Sequence, residues 1–171
     1  MFVYILRKTT KTDIQQVMAI INQGKTYLKA SGVDQWQNGY PNEAVINEDI
    51  ANGYGFVLTV DNEIVATVAL SFDGEPWYDD IRDGAWLTND DFLVIHRMAV
   101  SKQARGTEVA SELLRHAEKL CRNQGVSSIK IDTHPENIPM QKLVSKNGFA
   151  YCGIVILGTE GDRLAYEKRL I

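Results

Sequence analysis

Residues 92–132 contain Phe92, Leu93, Val94, Ile95, His96, Arg97, Met98, Ala99 and Val100. After a short loop come Arg105, Gly106, Thr107, Glu108, Val109 and Ala110, and further on Ser128, Ile129, Lys130, Ile131 and Asp132. The first run is apolar on both sides of its alternation, which fits a central strand covered on both faces. From about Thr107 to Asn123 one helical face carries Val109, Leu113, Ala117, Leu120 and Cys121. The other carries Glu112, Arg115, Glu118, Lys119 and Arg122, and Glu118 is spaced to pair with Arg122. Gly125 stops this helix, and residues 128–132 form the next strand. A strand, helix, strand unit has a right-handed crossover, so residues 92–100 and 128–132 should run parallel, with a ligand site at their C-terminal ends.

On the N-terminal side, residues 2–6 read as a short strand, and Thr12 with Gln15 forms a capping box for a helix that buries Ile14, Val17, Ile20, Ile21 and Leu28 and stops at Gly32. Residues 34–41 are a loop, and Asn42 caps a second helix that ends at Asn52 and Gly53. Residues 55–60 and 63–71 are strands joined by Asp61 and Asn62, a two-residue hairpin signal. Residues 73–91 are turn-rich and acidic, a loop or irregular insert with Trp77, Tyr78 and Trp86 among seven acidic residues. Downstream, residues 140–146 form a short helix, and residues 151–157 and 163–170 are the last two strands.

The length, 171 residues, suits one domain over 1–171 that buries a core without staples. Composition, at 44% hydrophobic and 23% charged, is that of a globular chain. Residues 2–6 are too few and too soon followed by Arg7 and Lys8 to span a bilayer or act as a signal, so a cytoplasmic location and no membrane contact are expected. Cys121 and Cys152 lack the spacing of a zinc site and read as buried thiols; no metal is expected. A net charge of −4 gives no footprint for nucleic acid.

Loop residues 101–108 connect a central strand to a helix N-terminus, where unpaired N–H groups and the helix dipole favour a phosphate and a small residue such as Ala110 permits close approach. Here the sequence resembles the GNAT family of N-acetyltransferases, whose loop has Arg or Gln, two residues, Gly, one residue, then Gly or Ala. Arg105 and Ala110 fill the ends of that frame, and Asn137 with Lys146, Asn147, Gly148 and Phe149 resembles the family's closing motif. The resemblance covers nearly the whole chain. It implies an α/β fold with a mixed, mostly antiparallel central sheet, the parallel pair splayed around the cofactor, and helices on both faces.

The resemblance further implies acetyl-CoA as cofactor, contacted by Met98, Ala99, Val100, Arg105, Gly106, Thr107, Glu108, Val109, Ala110, Ser111, Asn137 and Ser145. In the family a neutral amine attacks the thioester directly, and a backbone N–H from the Met98 to Val100 stretch polarises the carbonyl. Two positions depart from the pattern. Glu108 replaces a glycine, where its carboxylate either opposes a pyrophosphate or stabilises the empty helix end by ~0.3–1 kcal/mol. Val144 replaces the tyrosine that usually protonates the leaving thiolate.

For a base, His134 follows the strand end and has a pKa of about 6.5 when unperturbed; alternatively it orders the loop before Pro135. Trp36, Tyr40 and His96 are the expected acceptor contacts, Trp36 doubling as a possible packing anchor and His96 as a cleft histidine. Aromatic rings near Asp34 suit a cationic amine. The expected function is acetyl transfer to a primary amine of a small molecule or protein, without a covalent enzyme intermediate, in a monomer or a homodimer. The alternative is a GNAT-like module that binds coenzyme A or a protein without catalysis.

Overall fold

In a computed structural model, which describes residues 2–171, the chain forms two compact units. One comprises the N-terminal stretch through Leu70 with His96–His116; the other comprises Ser71–Ile95 with Ala117–Ile171. In the first, strand β1 (Tyr4–Lys8) starts two residues later than its apolar run and ends two residues beyond it, where Arg7 and Lys8 pair with Val57 and Phe56 of β2 (Gly55–Val60). Phe2 and Val3 are exposed. The capping box also moves. A 3-10 turn, Lys11–Asp13, precedes helix α1 (Ile14–Ala30), and Asp13 rather than Gln15 reaches back, accepting the Thr10 N–H at 2.8 Å. Arg7 explains the change: its guanidinium donates to both Asp13 oxygens at 2.7 and 3.0 Å, a charged arrangement a neutral Gln15 amide cannot match.

That pair predicts an acid-sensitive contribution to stability. The Arg7 guanidinium outweighs burial and holds the Asp13 carboxyl down at about 2, from 3.8. A carboxyl with a depressed folded pKa stabilises above its unfolded value and loses that contribution as pH falls from about 3.8 towards 2. Arg7 is 42% exposed, so solvent screening limits the contribution to about 1 kcal/mol. Asp13→Asn should therefore melt lower than wild type at pH 7 and converge with it near pH 2, as thermal unfolding across that range will show.

The α1 spacing holds: Val17, Ile20, Ile21 and Leu28 are buried, and Val17 and Ile21 pack with Ile46 and Val57. Helix α2 (Glu43–Asn52) is capped by Asn42, whose side chain accepts the Val45 N–H at 3.0 Å. Strands β2 and β3 (Glu63–Ser71) form the expected hairpin, and Asp61 and Asn62 both have positive φ, 51° and 67°, as a type I′ turn requires.

Strand β5 (Leu93–Val100) and helix α3 (Val109–Asn123) each contribute residues to both units. In the second unit β5 pairs in parallel with β6 (Ser128–Thr133) through Leu93, Val94 and Ile95 opposite Ile129, Lys130 and Ile131. After α4 (Ile138–Lys146), strands β7 (Ala150–Ile156) and β8 (Asp162–Arg169) are antiparallel, and β8 lies antiparallel to β6. The acidic stretch is an irregular insert with two short ordered elements that composition did not announce, a 3-10 turn (Pro76–Asp79) and the two-residue strand β4 (Ile81–Arg82) beside β7. Sheet order is β1-β2-β3-β5-β6-β8-β7-β4, eight strands, mostly antiparallel with one parallel pair and helices around them, as expected of the fold class.

One surface expectation changes. Glu118 accepts from Lys168 rather than Arg122, and Arg122 donates to the Ile171 carbonyl at 3.2 Å, because β8 brings a cation closer than the next helical turn does. Cys121 and Cys152 are buried thiols, and burial pushes Cys121 up to about 12. Among the described residues no helix is long and apolar enough to cross a membrane.

Candidate active site

The residues expected to form a phosphate loop lie in the first unit. Met98 and Ala99 are buried and Val100 half-buried, and the next amide, Ser101 N–H, donates to the Val65 carbonyl at 2.8 Å. Lys102–Ala104 form a 3-10 turn whose Lys102 N–H donates to the Gln23 side chain of α1 at 2.8 Å. Thr107 occupies the end of the loop: its hydroxyl donates to the Ala104 carbonyl and accepts the Val109 N–H at 3.3 Å. The first turn of α3 is closed by Glu112 N–H on the Glu108 carbonyl at 2.9 Å. Ser111 is buried, Ala110 half-buried and Glu108 exposed.

Gly106 has φ 80°, a region costly for side chains, and beyond its own chain neighbours no atom lies within 4 Å of where its Cβ would be. The middle of the loop is therefore open. Arg105 stacks over the Tyr27 ring of α1, 4.3 Å from its centre.

Residues expected to meet the acceptor are in the same unit. Trp36, with φ 65°, packs against the Val17, Ile21, Ile46 and Val57 core, and a Cβ on Gly24 would stand 3.3 Å from its ring and 4.0 Å from Ala99. Gly24 thus lets Trp36 lie against α1. Tyr40 accepts a hydrogen bond from Arg97 at 2.9 Å, and Arg97 in turn binds both oxygens of Asp49 at 2.8 and 2.6 Å. Burial lowers the Arg97 guanidinium's pKa, and the Asp49 carboxylate reverses this, leaving it raised. His96 is half-buried on the same strand.

The second unit holds the remaining expected residues. Asn137 caps α4 by accepting the Met140 N–H at 3.2 Å, and its own N–H donates to the His134 carbonyl at 3.0 Å. His134 Nδ1 accepts the Glu136 N–H at 3.1 Å, the loop-ordering contact, which places the proton of a neutral ring on Nε2. Val144 is fully buried and Ser145 exposed, so the helix position where the family's tyrosine would stand is a core position in this chain.

A model of the acetyltransferase (GNAT) family matches residues 21–149. The chain belongs to that family. A GNAT-family acetyltransferase from Streptococcus agalactiae 2603, known from its crystal structure, is 34% identical with TM-score 0.90 over 98% of this chain and 96% of its own. The uncharacterized N-acetyltransferase YesJ of Bacillus subtilis strain 168 is 22% identical over 148 residues, 82% of this chain and 78% of its own. The fold is also shared with the PaiA N-acetyltransferase from Thermoplasma acidophilum in complex with coenzyme A, at 15% identity and TM-score 0.71 over 98% and 99% of the two chains.

For a GNAT member, the loop suits a pyrophosphate in two respects, an open glycine and an arginine at its edge, while the Thr107 hydroxyl takes up the Val109 N–H. Glu108 is the exception, and its exposure leaves the carboxylate in water rather than sealed in the loop. Sequence reading missed Arg97, Asp49, Gln23 and Tyr27. A signal existed for Arg97, since a cation in a doubly covered strand must find a buried partner. For the others, ordinary polar and aromatic residues on helices carried no mark.

Proposed function

We propose that this protein is a cytoplasmic, single-domain N-acetyltransferase that moves an acetyl group from acetyl-CoA to a primary amine of a small molecule or a protein, by direct attack. The observation that supports this most is the loop between β5 and α3, whose ends are tied by Gln23 and Thr107 while Gly106 keeps its centre open. Acetyl-CoA would supply the activated acetyl group. Amides of Gly106 to Ser111 would hold its phosphates, with Asn137 and Ser145 as further contacts, and an amide in the Met98 to Val100 stretch would polarise the carbonyl. Trp36, Tyr40 and His96 would face the acceptor.

His134 acts as base in this reading by receiving a proton on Nδ1 and giving up the Glu136 N–H bond; deprotonation relayed through water to solvent would need no histidine. Since Val144 is core, the thiolate takes its proton from water or another group. The second reading, a module that binds without catalysis, draws on Glu108 and Val144. Calorimetry with acetyl-CoA on the ligand-free protein separates the two: micromolar binding followed by thiol release with amines is expected, and no binding at millimolar acetyl-CoA would sink the enzyme reading.

A further inference from the structure

We propose that Arg97 is a positioning residue for the acceptor loop, acting through Tyr40. The inference rests on the acetyltransferase reading above and concerns residues of one unit. Arg97 has φ 51° within β5, a left-handed conformation that strains a side chain and that a strand does not need for its ladder. Nε and Nη2 grip the two oxygens of Asp49 on α2, which fixes the plane of the guanidinium; that plane fixes the direction in which Nη1 donates. Tyr40 stands on that line at 2.9 Å.

The rest of the loop is held by α1. Lys25 Nζ donates to the Pro41 carbonyl at 2.5 Å, Gln37 donates to the Lys25 carbonyl at 3.0 Å, and Trp36 lies against Gly24. Tyr40 adds a tie to β5 itself, through the residue immediately before Met98, where the strand stretch proposed to polarise the acetyl carbonyl begins. A tie there sets how the acceptor loop stands relative to the reacting carbonyl, a distance to which rate is steeply sensitive. A largely buried ion pair is a weak source of stability compared with apolar packing, and left-handed backbone is a further cost. Both fall on Arg97, the β5 residue that donates to Tyr40.

Two substitutions in the full chain test this. Tyr40→Phe removes the hydroxyl and leaves Arg97 with Asp49, whereas Arg97→Lys keeps a charge beside Asp49 but cannot hold two partners in one plane. Amide hydrogen exchange across residues 34–41 should quicken at least tenfold in both variants, with α2 and residues 101–111 unchanged in Tyr40→Phe. With tyramine, cadaverine and a peptide bearing a free N-terminus as acceptor probes, acceptor KM should rise at least tenfold while the acetyl-CoA Kd stays within twofold. Unchanged exchange in residues 34–41, or acceptor KM and acetyl-CoA Kd moving together, would make Arg97 a structural pin only and overturn the proposal. If wild type binds no acetyl-CoA while exchange responds as stated, the positioning of the loop stands and the acetyltransferase reading fails.

Discussion

Glu167→Ala is expected to lower the melting temperature by roughly 6–20 °C, the equivalent of about 3–5 kcal/mol lost by leaving a buried charge without its partner. Glu167 on β8 has no exposed surface. One carboxylate oxygen accepts the Leu87 N–H at 2.8 Å and the other the Ser128 hydroxyl at 2.7 Å. Directly opposite on β6 lies Lys130, 3% exposed, its ammonium between the Trp86 and Phe92 rings, 4.5 and 4.1 Å from their centres. Burial pushes the Lys130 pKa down and the Glu167 carboxylate counters it. Glu167 therefore serves the insert through Leu87 and the lysine through charge. Glu167→Gln separates these: its amide can satisfy Leu87 and Ser128 but offers Lys130 no countercharge. The glutamine variant should fall between wild type and alanine in thermal melts, and a glutamine variant as stable as wild type would remove the countercharge role.

The parallel pair and the amphipathic α3 were legible because each rests on a local period: apolar on both sides for β5, and one buried face for Val109, Leu113, Ala117 and Cys121. The Asp61 and Asn62 hairpin was legible for a similar reason, since turn chemistry is carried by two adjacent residues. What sequence could not show depends on partners far along the chain. Arg97 meets residues 40 and 49, Gln23 meets Lys102, and Lys168 displaces Arg122 from Glu118. The box at Thr12 and Gln15 was a fair local motif that lost to Asp13, whose charge Arg7 anchors from the preceding strand. Strand β4 is two residues long, below any readable alternation, and exists because β7 offers it an edge. For His134, sequence placed a histidine after β6 and left two roles open; the Glu136 N–H bond adds weight to loop ordering, since a base at this position has to release that bond from Nδ1. Val144 could not be assigned a side from a helix of nine residues, and its complete burial is what makes the missing tyrosine a change of core rather than of one functional group.

Glu108→Gly should tighten acetyl-CoA binding at least tenfold in calorimetry while making the ligand-free protein less stable. Two like charges 4 Å apart repel by about 1 kcal/mol in bulk water and about 4 kcal/mol at an effective dielectric of 20. Glu108 is exposed, which places it toward the lower figure, yet a pyrophosphate brings more than one negative charge. A tenfold change needs about 1.4 kcal/mol, within that range. The same carboxylate, one residue before α3, favours the empty helix end by about 0.3–1 kcal/mol, and glycine there adds backbone freedom to be lost on folding. Affinity and stability should therefore move in opposite directions, which a general loosening of the loop cannot produce. The gain should also shrink in 1 M salt, where screening weakens repulsion between exposed charges. If Glu108→Gly instead weakens binding, the carboxylate supports the loop that receives the phosphates, and its place in the family's glycine frame is a working variant rather than an obstacle.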